Sequence, residues 1–312
     1  MRAFTLSSFD SPPALRDDLA APTAADGEVL VRVQGSSVNP ADAAIASGML
    51  KGMFAHEFPV LLGRDYAGVV EQVGPGATRH SAGDEVFGFL RHADPTVRAG
   101  TWAEQIVVPD GQSIARKPAS LDFATAGAAP LAGVTALQCV DALHVGHGDI
   151  VLIVGATGGV GSLAVQLVVL AGAAVLAPAL REDDEYLREL GVSDVLERDG
   201  DVAAAVRERH PDGVDALLDL VSNSPDGFDA HAAALKAGGR GATPLGAAGE
   251  GPGRSNIMAV PSPENLDRLA RLLDGGTLKV SIMDSFGLER AGDALSALGS
   301  THTRGKLAIQ IA

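Results

Sequence analysis

One stretch constrains the fold of this chain more than any other: DIVLIVGATGGVGSLAVQLVVLAG, residues 149–172. It opens on a continuous apolar run. Such a run fits a strand buried on both faces rather than one that alternates between core and solvent. A glycine-rich turn follows, then a helix that stops at Gly172. Downstream, AAVLA reads as a strand, EDDEYLRELG as a helix ending at Gly191, and VDALLDLV as a strand. FDAHAAALKAGG then reads as a helix and RGATPLG as a further strand. Strands and helices that alternate over short connections predict a parallel sheet with right-handed crossovers.

The turn itself, GATGGVG (Gly155, Ala156, Thr157, Gly158, Gly159, Val160, Gly161), has the spacing A-x-G-x-x-G on Ala156, Gly158 and Gly161. At the second position a missing Cβ lets backbone approach a pyrophosphate; at the third it lets the helix pack on its strand. The N–H groups at the helix start, with the helix dipole, hold the diphosphate. A tight structural turn is the bland alternative, but a preceding strand and a following helix are the context that supports dinucleotide binding.

An NAD site places an acid at the end of the next strand, for the ribose 2′-OH. Here Ala177 to Leu180 offer no carboxylate and Arg181 follows. An arginine pairs with a 2′-phosphate, so NADPH is expected over NADH. Glu182, Asp183 and Asp184 oppose that reading, and Arg181 simply opening the next helix is its rival. Ligands bind at the carboxyl edge of such a sheet, which adds Asn223, Gly241 and Thr243 as candidate cofactor contacts.

The remainder is different in kind. EVLVRVQGSSV and GVVEQVG alternate or run as β-branched stretches, with frequent turn signals, and predict a β-rich domain over the first part of the chain. In the tail, SPENLDRLARLLDGG is an amphipathic helix with Ser262 as its cap and Leu266, Leu269 and Leu273 on one face. LKVSIMDSF and GKLAIQIA are strands, and the tail is expected to return to the first domain. A net charge of −15 argues against nucleic acid and anionic membrane as partners. The lone Cys139 permits neither an internal disulfide nor a cysteine zinc cluster, and reads as a small buried hydrophobe. The N-terminus does not read as a secretion signal and no apolar run has membrane-spanning length, so a cytoplasmic location is expected.

Several segments, taken in order, resemble the medium-chain dehydrogenase/reductase superfamily, and within it the zinc-independent quinone oxidoreductase branch. They are SSVNPADAAIASG (36–48), FPVLLGRDYAGVVEQVGPGATRHSAGDEVFG (58–88), AGTWAEQIVVP (99–109), AAPLAGVTALQ (128–138), GATGGVG (155–161) and RGKLAIQI (304–311). The resemblance implies an α/β protein. A GroES-like β-rich catalytic domain would span 1–119 and 261–312, with a Rossmann doubly wound parallel sheet over 120–260. It implies NADPH as cofactor and a homodimer, formed through the edge near residues 256–260. It also implies that Asn39, readable by itself as a helix cap before Pro40, borders the nicotinamide ribose. Thr135, readable as a helix threonine bonded to its own turn, would lie near the nicotinamide.

Metal-dependent relatives carry a Cys near the position of Asn39 and a His at that of Arg64. Arginine has no lone pair to offer a metal, and His56, His80 and His92 lack ligand spacing, so no metal site is expected. Enoyl-reducing relatives often carry a Tyr where Met49 or Leu50 lies here. Only Tyr66 and Tyr186 exist, neither an obvious acid, so no catalytic residue is assigned. Met49, Met53, Phe54, Phe89 and Met258 are the candidates to line a substrate site. Arg64 and Asp65, adjacent in a strand, should point to opposite faces and serve structure. The reading is an NADPH-dependent, zinc-independent reductase of quinones or α,β-unsaturated carbonyls. The alternatives are a biosynthetic tailoring reductase with a narrow substrate and a non-catalytic NADPH-binding protein.

Overall fold

The structure, a computed structural model, describes residues 1–91, 100–300 and 302–311. The turn-rich first part forms β1 (Ala3–Leu6), β2 (Ala14–Arg16), β3 (Glu28–Ser37), α1 (Pro40–Ala46), β4 (Val60–Leu61) and β5 (Asp65–Val73). It continues with β6 (Glu85–Phe89), β7 (Gln105–Pro109), β8 (Ala115–Arg116) and α2 (Phe123–Ala128). The alternating part forms α3 (Pro130–Ala142), β9 (Ile150–Val154), α4 (Gly159–Leu170), β10 (Ala174–Ala179), α5 (Asp184–Leu190), β11 (Asp194–Glu197) and α6 (Val202–Arg209). Then come β12 (Val214–Asp219), α7 (Pro225–Ala232), β13 (Leu235–Thr243) and β14 (Arg254–Asn256). The tail forms α8 (Pro263–Asp274), β15 (Ile282–Gly287), α9 (Ala291–Ser300) and β16 (Lys306–Gln310). Among the described residues no helix is long and apolar enough to cross a membrane.

These elements sort into two compact units, Met1–Leu131 with Val260–Gly276 and Ile282–Ala312, and Ala132–Ala259 with Thr277–Ser281. In the first unit, β3 is the hub. It pairs antiparallel with β5, β7 and β16, within a sheet ordered β15-β16-β3-β5-β6-β8. The tail strand β16 thus joins the sheet built by the start of the chain. Trp102, Tyr66, Phe4, Val31 and Ile309 are among its fully packed core residues.

The first unit runs beyond residue 119, where the sequence reading ends the first domain, and the reason is close packing. A Cβ on Gly35 of β3 would collide with the carbonyl oxygen of Phe123, and one on Gly127 would stand 2.5 Å from the backbone of Gly35. Two facing glycines let α2 lie directly on β3. Residues 277–281 belong to the second unit, because Gln166 of α4 pairs with Lys279 through N–H groups in both directions, at 2.8 and 3.0 Å.

The second unit is a six-stranded sheet ordered β11-β10-β9-β12-β13-β14, with every pairing parallel. This is the doubly wound order, in which the chain reverses direction between β9 and β12. Two details differ from the sequence reading. LKAGG belongs to β13 rather than to the preceding helix, which ends at Ala232. β11 and α6 fill a stretch to which no element is assigned from sequence. Its core includes Leu152, Leu176, Leu196, Val206, Leu217 and Phe228.

Candidate functional site

In the second unit the site begins where β9 ends. Gly155 has φ +86, a left-handed backbone that favours glycine, and a Cβ there would stand 3.0 Å from Val221 Cγ2. A Cβ on Gly161 would overlap the carbonyl oxygen of Gly155 and lie 2.7 Å from Ala156 Cα. Gly161 is therefore required for α4 to pack on the turn. Gly158 is different. A Cβ there would meet only Gly155 O, at 3.7 Å. Its open side borders the start of a twelve-residue helix that no side chain caps. Unclaimed N–H groups, the dipole and an unobstructed approach together fit a diphosphate.

The other candidates in this unit fall into two groups. Arg181, just past β10 in a 3-10 turn, is exposed and has no ion-pair partner among the described residues. Of the acids that follow it, Asp183 is buried and Asp184 is tied to Arg188 at 2.8 Å. Asn223 is exposed on the turn after β12. In contrast, Gly241 and Thr243 have local reasons for their identity. A Cβ on Gly241 would press on Phe228 at 2.8 Å, and the buried Thr243 hydroxyl accepts the N–H of Leu245 at 3.1 Å. Thr135 is buried on α3 and Met258 is exposed after β14.

In the first unit a cluster of charged side chains is buried. β5 begins at Asp65, whose carboxylate is fully enclosed. Oδ2 accepts from the Ser37 hydroxyl at 2.6 Å and from Asn39 Nδ2 at 2.8 Å, and Oδ1 accepts the N–H of Leu131 at 2.7 Å. Lys306, at the start of β16, donates to Asn39 Oδ1 at 2.6 Å and to Val38 O at 3.1 Å, with Asp65 Oδ2 3.6 Å away. Burial lowers the Lys306 ammonium below its ordinary range, partly offset by Asp65 and Asp42. Both ends of the Asn39 amide are thus engaged inside this unit, while Asp42 accepts the Asn39 backbone N–H at 2.8 Å in the first turn of α1.

Arg64 and Asp65 do turn away from each other. The Arg64 guanidinium is fully buried opposite Asp42, Nε to Oδ1 at 3.8 Å, and its Nη2 reaches Leu61 O at 3.5 Å. At those distances the pair is coulombic rather than hydrogen-bonded. Burial pushes the Asp42 carboxyl up to about 7, against the opposing pull of Arg64 and the Asn39 N–H.

Other expectations find local explanations. Tyr66 is buried, donates to Ser113 O at 2.7 Å, and has its hydroxyl pKa raised well above the ordinary value by that burial. It is an anchor with no exposed surface. Phe89 is 2% exposed and presents almost no surface to a ligand, whereas Met49 and Met53 are exposed and Phe54 half-buried. His56 sits edge-on to Phe9, and His80 is bound to Asp110 at 2.6 Å. His92 lies outside the described residues. Among the described residues no group of three potential ligands could hold a metal ion. Cys139 is buried, which pushes its thiol up to about 12.

Sequence reading missed Lys306, Asp42 and Ser37 as members of this cluster. The available signal was a cation opening the apolar strand KLAIQI and an acid in the apolar stretch VLLGRDYAGVV. Buried charges need partners, so each predicted a counterpart, though not which one.

Comparison with known proteins agrees with this architecture. Residues 25–119 match the family model for the alcohol dehydrogenase GroES-like domain, and residues 190–309 match that for zinc-binding dehydrogenases. A chloroplast envelope quinone oxidoreductase homolog of Arabidopsis thaliana is 29% identical over 313 residues, covering 93% of this chain and 91% of that protein. An NADPH-dependent alkenal/one oxidoreductase of the same plant is 28% identical, covering 99% of this chain and 79% of its own length. The quinone oxidoreductase from Coxiella burnetii superposes with a TM-score of 0.88 at 28% identity, covering 100% of this chain and 99% of that one. With the doubly wound sheet, the glycine turn and the β-rich unit in place, the chain belongs to the medium-chain dehydrogenase/reductase superfamily, on its quinone oxidoreductase side.

Proposed function

We propose that this chain is an NADPH-dependent oxidoreductase that reduces a quinone or an α,β-unsaturated carbonyl without a metal. The observation that carries the reading is the uncapped start of α4, open at Gly158, in the same unit as Arg181, which has no ion-pair partner among the described residues. The relatives named quinone oxidoreductase and alkenal/one oxidoreductase support the substrate class.

A zinc ion is a poor match for the residues present. Where zinc-dependent relatives place ligands, this chain has Arg64, which lacks a lone pair, and Asn39, whose amide is committed to Asp65 and Lys306. In a nicotinamide enzyme the residues of this chain would divide the work. Gly158 and the first N–H groups of α4 would hold the diphosphate, and Arg181 would pair with the 2′-phosphate. When bound, the dihydronicotinamide supplies the hydride, and a quinone takes that hydride and one solvent proton to become the hydroquinone. Tyr66 is committed to Ser113, which favours acceptors whose oxygens draw protons from water. As part of the same proposal, β14, the edge strand of its sheet, with the exposed Met258 after it, is the dimerisation edge.

The test is NADPH consumption with a panel of quinones and enones in the presence of a chelator. The expected result is turnover of at least one class at an undiminished rate under chelation. Activity confined to added zinc and a simple alcohol would overturn the proposal. Tight NADPH binding with no turnover across the panel would select a non-catalytic binder instead.

A further inference from the structure

A second polar cluster lies in the second unit, at the end of β12. Asp219 is fully buried, and its Oδ1 accepts the N–H groups of Val221 and Ser222, both at 2.9 Å. Its Oδ2 lies 2.8 Å from Nδ1 of His231, on α7. The Ser222 hydroxyl is 3.3 Å from the same ring nitrogen. Acid and hydroxyl share one nitrogen, so this is no nucleophile–base–acid relay, in which the two partners must use opposite sides of the ring. Burial alone would raise the Asp219 carboxyl. His231 and the backbone N–H groups outweigh it and hold the carboxyl below its ordinary range.

The turn that this cluster shapes touches the glycine turn directly. Leu220 N–H donates to Val154 O at 3.0 Å, which continues the β12–β9 pairing one step past Asp219. The methyl of Val221 and the Cβ of Leu220 stand 3.0 and 3.2 Å from where a Cβ on Gly155 would be. Even so, Val221 is 59% exposed, a large apolar side chain left open to solvent next to the glycine turn. Asn223, two residues on, is exposed as well. The backbone of this turn is fixed at two points: by Val154 O, and by the Asp219 carboxylate, which one imidazole on the following helix holds in turn.

We infer that His231 is a positioning residue for the nicotinamide cofactor: through Asp219 it fixes the turn 220–223 so that Val221 and Asn223 form one wall of the cofactor site. The inference rests on reading the glycine turn as that site. It makes His231 a determinant of cofactor affinity and leaves the hydride step to other groups.

The experiment uses the full chain and NADPH itself. Dissociation constants come from fluorescence titration, and KM and kcat from turnover with whichever acceptor the panel identifies. In His231→Ala the Kd and KM for NADPH should rise about tenfold, with kcat at saturation within about twofold, as expected for lost binding rather than lost chemistry. His231→Asn keeps an N–H donor near the Nδ1 position and should bind within about threefold of wild type. Should His231→Ala not fold, His231→Leu, which keeps more of the ring's bulk without its donor, carries the same expectation. Wild-type affinity in the donor-less variant overturns the inference, as does an Asn variant as weak as the Ala one. Absence of saturable NADPH binding by the wild-type chain is a separate outcome; it overturns the cofactor reading, and the inference with it.

Discussion

The glycine turn and the buried charge cluster are built in opposite ways. The turn uses seven consecutive residues, 155–161, and works through backbone: what matters is where side chains are missing. The cluster draws Ser37, Asn39, Asp42, Arg64, Asp65 and Lys306 from across the chain, and depends on their side chains, four of them charged and fully or nearly fully buried. Adding an atom should damage the first, and deleting a charge the second. Backbone recognition is written locally in sequence. A buried ionic cluster is written in the topology, because only the β16–β3 pairing brings Lys306 to Asn39.

The largest effect is expected from breaking the cluster. Lys306→Met removes a buried cation and leaves Asp65 enclosed without a counterion. Losing one partner of a buried pair costs about 3–5 kcal/mol. The expected outcome is a drop of that size in urea unfolding of the β-rich unit. Lys306→Met with Asp65→Asn should recover part of it, since the unpaired charge is then gone. A single variant as stable as wild type would mean that the cluster is incidental to the fold. In that case Asp65 and Lys306 would need another reason to be there.

The glycine turn allows a finer division. Gly161→Ala forces a Cβ onto the carbonyl oxygen of Gly155, an overpacking worth about 1–3 kcal/mol, and should lower both stability and NADPH affinity. Gly158→Ala meets only one atom, at 3.7 Å, on a backbone with φ −72 that alanine adopts freely. It should leave unfolding unchanged and weaken NADPH alone, because its methyl fills the space through which a diphosphate approaches. The paired measurement is thermal unfolding beside cofactor titration. If the two variants behave alike, the separation of packing glycine from binding glycine fails.

The same contrast explains what was legible in the sequence. Apolar runs and glycine stops in 149–191 specify the strands and helices that form the parallel sheet, since each signal lies within a few residues of its effect. The β-rich unit shows its strands but hides their order: nothing local in EVLVRVQGSS says that it pairs with β5, β7 and β16 at once. Gly35 and Gly127 look like ordinary turn or helix glycines until α2 is seen lying on β3. Asp219 and His231 sit in plain runs, VDALLDLV and FDAHAAALKAGG, and become a pair only when α7 returns against β12. Asp65 was visible as a buried anchor because an acid inside an apolar strand needs a partner. Its charged partner, Lys306, was hidden near the other end of the sequence.

The smallest effect concerns Arg181, in the turn after β10. Arg181 follows β10, where an NAD enzyme would present a carboxylate, and its guanidinium has no ion-pair partner among the described residues, although the exposed Glu182 is its neighbour. Asp184 is held by Arg188, and Asp183 is buried. A free guanidinium in that place discriminates between cofactors that differ by one phosphate. Arg181→Ala should raise the Kd for NADPH about tenfold and that for NADH less than about twofold, the size of one charge-assisted contact at an exposed position. Because that contact is exposed, added salt should weaken NADPH binding to wild type more than to the variant. Equal losses for the two cofactors would make Arg181 a general contributor to the fold of the turn. No loss for either would return it to a solvated side chain at a helix start, and the preference for NADPH would then have to come from residues outside the carboxyl edge of β10.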